Sequence, residues 1–145
     1  MQNFLKLIFL DIEGVMKSPG DFSWNNPAIQ NLKNLCEVTG AKIIVSSSLR
    51  LDKTLDQLKT IFKTHGQGLD NFILDRTPEI NLYRRDQEIQ AYLNTWPENH
   101  QPHIFVILDD SFYEIFSKKY PQNFVYCKQL FGDQEYQKAL NILNF

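Results

Sequence analysis

The chain has 145 residues, a formal net charge of −2, and hydrophobic side chains at 43% of its positions. This length and composition fit one globular domain with a full core, so we expect residues 1–145 to form a single domain. The small negative charge provides no overall attraction to nucleic acid or to an anionic membrane, although a local basic patch is compatible with it. No stretch approaches the ~18 apolar residues of a membrane span, and no signal peptide is recognisable. We therefore expect a cytoplasmic location.

Apolar runs and helix-spaced apolar positions alternate along the chain. Residues 4–10 are almost continuously apolar, which is typical of a central strand covered on both faces. A polar loop follows over 17–26, and Asn26 before Pro27 predicts a helix with Asn26 as its N-cap, ending at Gly40. The other predicted elements are strands at 42–45, 72–74, 104–108 and 124–127, and helices at about 52–64, 84–95, 113–119 and 133–143.

This alternation of elements predicts the fold class. Strands that alternate with helices usually form parallel sheets covered by helices, because each crossover places a helix on one face. We expect an α/β fold, a Rossmann-like three-layer sandwich with a central, mostly parallel sheet.

Chemically active side chains stand at the ends of three predicted strands. Asp11 and Glu13 follow the first strand, Ser46 follows the second, and Asp109 and Asp110 follow the strand at 104–108. Ligands of open α/β sheets bind outside the carboxyl ends of the strands, so these groups are expected to converge. Clustered carboxylates repel one another, and Mg²⁺ is a cation that prefers oxygen ligands. The pattern therefore predicts a magnesium site. The alternative is that the carboxylates serve as helix caps and surface charges.

These segments resemble motifs of the haloacid dehalogenase (HAD) superfamily. DIEGV at 11–15 resembles the first motif, IIVS at 43–46 the second, and VILDD at 106–110 the fourth, acidic motif. SSSLR at 46–50 and RDQEI at 85–89 resemble strings of a compact, capless subgroup found in RNA-repair proteins and stand-alone phosphatases. In that subgroup the strings read roughly Ser-Ser-Ser-Trp-Arg and Arg-Gly-x-Glu-Ile. The resemblance runs in the same order along nearly the whole chain.

The resemblance implies a magnesium-dependent phosphatase. Asp11 is then the nucleophile that forms an aspartyl-phosphate, and Glu13 is the acid that protonates the leaving oxygen and later activates water. Asp109 and Asp110 bind Mg²⁺ together with Asp11 and the backbone carbonyl of Glu13.

The same resemblance implies a set of substrate-binding residues. Ser46 and Ser47 are expected at the phosphoryl oxygens, and Arg50 is expected to meet a substrate phosphate. Arg85 takes the third-motif position beside Asp11. Its neighbour Arg84 is the alternative, since adjacent helical residues point ~100° apart and only one of them can face the site.

Two positions depart from the family pattern. Glu13 stands where the family usually has Asp, and its extra methylene moves the acid. We expect this to change the rate, because ~1 Å of misplacement can cost ~100-fold. Leu49 stands where the subgroup often has Trp, which we interpret as a packing change. Arg50 also has an alternative interpretation, an ion pair with Asp52.

The segment 14–26 is too short to hold a cap domain, and the segment 50–85 is predicted to contain one helix and a short strand, which the basic fold alone requires. The site is therefore expected to be open and suited to a phosphorylated macromolecule. A phosphotyrosyl protein is slightly favoured because nucleic-acid sites usually show a basic face. The alternatives are a polynucleotide-end phosphatase and a degenerate, non-catalytic interaction module. A dehalogenase is disfavoured by the acid at Glu13.

Phe22 and Trp24, in the loop after Asp11, either contact an aromatic or base-bearing substrate or seal the local core.

Overall fold

The computed structural model of the chain describes residues 5–96 and 104–144. In this part of the chain one parallel sheet has the strand order β3-β2-β1-β4-β5. The strands are β1 Lys6–Leu10, β2 Lys42–Val45, β3 Ile73–Arg76, β4 Ile104–Asp109 and β5 Phe124–Tyr126. The helices are α1 Asn26–Thr39, α2 Leu55–His65, α3 Arg85–Asn94, α4 Tyr113–Lys119 and α5 Asp133–Leu143. Short 3-10 turns cover Ser48–Arg50 and Leu69–Phe72.

Helices cover both faces of the sheet because β1 is apolar on both sides. Ile8 and Leu10 pack with α1, α2 and α5 in one buried cluster, whereas Leu7 and Phe9 pack with α3 and α4 in a second. Side chains of a strand alternate between its faces, so one continuous apolar run supplies both cores. The predicted Rossmann-like three-layer α/β sandwich is confirmed.

Helix α1 begins one residue earlier than the sequence predicted. Asn25, not Asn26, is the N-cap, and its side-chain oxygen accepts a hydrogen bond from Ala28 N at 2.9 Å. Asn26 and Pro27 then form the first turn, where the missing N–H of proline costs nothing. Either of the two adjacent asparagines could act as the N-cap. Asn25 does so because its backbone is extended, whereas Asn26 already belongs to the helix.

Helix α2 begins later than predicted because a capping box starts it. Thr54 accepts a hydrogen bond from Gln57 N at 3.1 Å, and the Gln57 side chain accepts one from Thr54 N at 2.8 Å. Asp52, the predicted start, has a φ of 60°, which is incompatible with a right-handed helix.

Smaller differences occur at strand ends. Strand β3 covers Ile73–Arg76 rather than 72–74 because Phe72 ends a 3-10 turn. Strand β4 extends to Asp109, and β5 ends before Cys127. Phe4, predicted to begin the first strand, lies outside the described residues. No helix in the described ranges is long and apolar enough to cross a membrane.

Candidate active site

Three carboxylates meet at the carboxyl end of the sheet. Strands β1 and β4 are neighbours in which Leu10 pairs with Leu108, so the residues that follow them lie at the same level. Asp11 N donates to Leu108 O at 3.0 Å and holds Asp11 beside β4. Carboxylate oxygens of Asp11, Asp109 and Asp110 lie within 4.8 Å of one another. We call these three residues the carboxylate cluster.

The turn after β1 is packed directly against the carboxylate cluster. Gly14 has a φ of +83°, and a Cβ added there would overlap the Asp110 carboxylate and lie 2.8 Å from Asp110 Cβ. Gly14 N donates to Lys17 O at 2.7 Å, which closes the turn. Only glycine combines this backbone conformation with such a close approach.

Arg85, the first residue of α3, bridges two members of the cluster. Its Nη1 lies 2.7 Å from Asp109 Oδ2 and 3.3 Å from Asp11 Oδ1. The guanidinium also lies 5.2 Å from the centre of the Phe112 ring. The neighbouring Arg84 points away and binds both carboxylate oxygens of Asp86 at 3.0 Å. The structure therefore places Arg85, rather than Arg84, at the site.

The carboxylate cluster has more negative than positive charge, since three carboxylates lie beside one guanidinium. Burial raises the pKa of Asp11 well above its usual value, and the charge of Asp109 raises it further. Burial also raises the pKa of Asp109. Arg85 lowers both pKa values, but its single charge offsets these effects only in part. Oxygen donors this close together, with excess negative charge, fit a hard divalent cation such as Mg²⁺.

Ser46 completes this edge of the sheet. It follows β2, and its backbone N–H donates to Leu10 O at 3.0 Å, which places it next to Asp11. Its hydroxyl is fully buried and finds no hydrogen-bond partner among the described residues. A buried hydroxyl without a partner is costly, so its presence beside a carboxylate cluster is a feature of the site that packing does not explain.

A family model described as the HAD domain in Swiss Army Knife RNA repair proteins matches residues 7–135. The chain belongs to this family. The match begins in β1 and reaches the first turn of α5, so it includes every site residue described above. It supports a compact HAD-type hydrolase or phosphatase fold. Comparisons with curated proteins and with solved structures give no significant match.

Arg50 of this HAD domain does not face the site, contrary to the predicted contact with a substrate phosphate. Its side chain is 1% exposed, and it forms an ion pair with Glu88 at 2.7 Å rather than with Asp52. All five N–H donors of the guanidinium have partners within the protein. These partners are the carbonyl oxygens of Ser46, Ser47, Thr77 and Pro78 and the carboxylate of Glu88. Arg50 therefore holds in place the backbone of residues 46–48, which we call the serine segment.

The other predicted residues of the HAD domain lie outside the carboxylate cluster. The Glu13 side chain is 60% exposed and lies 3.4 Å from Lys17 Nζ, outside the carboxylate cluster. Ser47 Oγ accepts a hydrogen bond from Leu49 N at 3.1 Å and so caps the following 3-10 turn. Leu49 packs against the core, in agreement with the interpretation of its departure as a packing change.

A cavity of about 380 Å³ opens beside Glu13 and Ser47. We call it the aromatic cavity, because rings from two elements line it. Its lining residues are Ile12, Glu13, Lys17, Phe22, Trp24, Ser47, Ser48, Leu49, Ile61 and His65. Trp24 is 7% exposed and packs edge-on to Phe62 at 5.0 Å, so it seals the local core. Phe22 is 83% exposed.

His65 also lines this cavity, although the sequence pattern predicted only a surface or loop position for it. It ends α2, and its ring lies 6.0 Å from Trp24 in a stacked arrangement and 5.2 Å from Phe22 in an edge-on one. The sequence contains no local signal for this contact, since His65 is distant in the chain from the loop after β1.

Proposed function

We propose that this HAD domain is a magnesium-dependent phosphomonoester hydrolase that uses Asp11 as a covalent nucleophile. The carboxylate cluster is the observation that carries the proposal. Three carboxylates, two of them buried and with raised pKa values, are an unfavourable arrangement unless a cation offsets their charge.

The proposed reaction has two displacements. A carboxylate oxygen of Asp11 attacks phosphorus, the bond between phosphorus and the leaving oxygen breaks, and Glu13 donates its proton to that oxygen. Glu13 then accepts a proton from a water molecule whose oxygen attacks the phosphorus of the aspartyl-phosphate. Inorganic phosphate leaves, and the Asp11 carboxylate is restored.

The surrounding residues position the reacting groups. Arg85 holds Asp11 through the 3.3 Å contact and keeps Asp109 in place through the shorter one. The unpartnered hydroxyl of Ser46 suits a hydrogen bond to a phosphoryl oxygen. We propose Asp11, Asp109, Asp110 and the backbone carbonyl of Glu13 as the residues that hold Mg²⁺. When bound, the ion supplies positive charge that stabilises the phosphoryl oxygens.

The proposed substrate is a phosphate at the end of a polynucleotide. The site has no cap domain in the described residues, because the segment between β1 and α1 contains no helix or strand, and α2 is the helix between β2 and β3, apart from 3-10 turns. Such a site admits a macromolecule. Overall charge alone favoured a phosphotyrosyl protein, whereas the family is described by its occurrence in RNA repair proteins. A phosphotyrosyl peptide is therefore the competing substrate.

Hydrolysis of p-nitrophenyl phosphate tests the reaction class. We expect release of p-nitrophenol with Mg²⁺, loss of release with EDTA, and loss of release in Asp11→Asn. Asp56→Asn is the matched control, because Asp56 is an exposed carboxylate in the first turn of α2 and should leave the rate unchanged. Release that survives in Asp11→Asn would disprove the covalent mechanism, and no release from folded protein would favour a non-catalytic module.

A further inference from the structure

The aromatic cavity adjoins the proposed leaving-group side of the reaction. Glu13 lines the cavity and is the residue proposed to protonate the leaving oxygen. In an in-line displacement the leaving oxygen stands opposite the attacking Asp11, so its attached group extends on the side of the general acid. The cavity therefore lies on the side of the site toward which the leaving group extends.

Phe22 presents an aromatic ring to this space without a core function. It is 83% exposed, and the edge-on contact with His65 at 5.2 Å leaves most of its ring surface free of protein. Its loop is nevertheless held in place, since Asn25 N donates to Met16 O and Lys17 Nζ donates to Asp21 O, both at 2.8 Å. An exposed aromatic ring on a loop that is closed by hydrogen bonds is suited to stacking on a planar ligand.

The cavity wall also offers polar groups. Lys17, Ser48 and His65 lie among its lining residues, and each can hydrogen-bond the edge of a ligand. A nucleobase has donors and acceptors on its edge, whereas the ring of a phosphotyrosine has none beyond the ester oxygen. A volume of about 380 Å³ lies within the ~300–1,000 Å³ typical of pockets for small organic ligands.

We propose that the aromatic cavity holds the nucleobase of the terminal nucleotide, stacked on Phe22, while the phosphate of that nucleotide lies at the carboxylate cluster. This inference rests on the proposed function and adds to it a residue that determines substrate preference. Stacking uses the ring face that every base has. We therefore expect the protein to prefer a terminal nucleotide that carries a base over an abasic one.

Two oligonucleotides with the same terminal phosphate test the proposal, one with a base on the terminal nucleotide and one abasic there. We expect the wild-type kcat/KM to be about 10-fold or more higher for the base-bearing substrate. The ratio should fall toward one in Phe22→Ala and be retained in Phe22→Tyr. Tyr83→Ala is the matched control, because Tyr83 is 82% exposed and lies outside the cavity, and it should keep the wild-type ratio.

A binding measurement separates this inference from the proposed function. Trp24 lines the cavity, so nucleoside monophosphate binding should change tryptophan fluorescence, and Phe22→Ala should weaken that binding about 10-fold. Hydrolysis without any dependence on the base or on Phe22 would overturn the subsite and leave the phosphatase standing. Base binding that depends on Phe22 without hydrolysis would support the subsite and overturn the phosphatase.

A phosphotyrosyl peptide completes the comparison. Faster turnover of this peptide than of the base-bearing oligonucleotide, with a loss in Phe22→Ala, would assign the cavity to a tyrosine ring and overturn the proposal. Slower turnover of the peptide, unaffected by Phe22→Ala, would support the nucleobase.

Discussion

The guanidinium of Arg50 lies 2.7 Å from the carboxylate of Glu88, and both side chains are almost fully buried. The two residues belong to the two strings, SSSLR and RDQEI, that suggested the compact subgroup. Glu88 also accepts hydrogen bonds from Ile80 N and Asn81 N. The pair therefore joins the serine segment after β2 to α3, the helix that carries Arg85.

We predict that Arg50→Ala lowers the free energy of unfolding by about 3–5 kcal/mol, because it leaves the Glu88 carboxylate buried without its cation. Urea denaturation measures the change. Arg50→Met with Glu88→Leu should cost less than the sum of the two single variants, because the residues interact. Additive costs would contradict the structural role of the pair.

Gly14→Ala should displace Asp110 and weaken magnesium binding. The added Cβ would overlap the Asp110 carboxylate, and the φ of +83° adds backbone strain of about 1–2 kcal/mol. Gly20→Ala is a matched control, because Gly20 has a φ of +86° but nothing within 4 Å of the added Cβ. The rise in Tm on adding Mg²⁺ measures the effect. It should shrink in Gly14→Ala and persist in Gly20→Ala, and an equal rise in both variants would contradict the close approach.

The contribution of Asp11 and Asp109 to stability without divalent cations should fall as the pH rises above about 4. The raised pKa values of Asp11 and Asp109 mean that the folded state retains protons that the unfolded state has lost. The free energy of unfolding contributed by these groups therefore declines through the pH range up to their folded pKa values. Urea denaturation in EDTA at several pH values measures this decline.

Asp11→Asn should make that decline shallower, because it removes one of the two buried acids, and it should raise stability at neutral pH in EDTA while abolishing activity. Asp56→Asn should retain the wild-type slope, since Asp56 is exposed. If Asp11→Asn kept the wild-type slope, the pKa of Asp11 would not be raised in the folded protein, and the prediction would be wrong.

Glu13→Gln should separate substrates by their leaving groups. If Glu13 is the acid, as proposed, the variant should lose ~10²–10⁴-fold in rate on an alkyl phosphate, whose leaving oxygen needs a proton. The loss should be much smaller for p-nitrophenyl phosphate, whose leaving group is stable as an anion. Glu37→Gln, at an exposed position of α1, should affect neither rate. Equal losses on both substrates would argue that Glu13 has another function.

The sequence by itself determined the order of the elements and the edge of the sheet where the acids lie. Continuous apolar runs such as the one before Asp11 must be covered on both faces, so a parallel sheet follows. Residues that end neighbouring parallel strands then share an edge whatever their separation in the chain. This is why Asp11, Ser46 and Asp109 could be placed together from local patterns alone.

Only the tertiary structure decided which side chains have their hydrogen bonds satisfied and which surfaces meet. The sequence predicted that Arg50 binds substrate. In the structure, backbone carbonyl groups and the carboxylate of Glu88 accept hydrogen bonds from all its donors. His65 joined Phe22 and Trp24 only because α2 packs beside the loop after β1. Such contacts join segments that are distant in the chain, and local periodicity reports burial and direction but not the partner that a side chain meets.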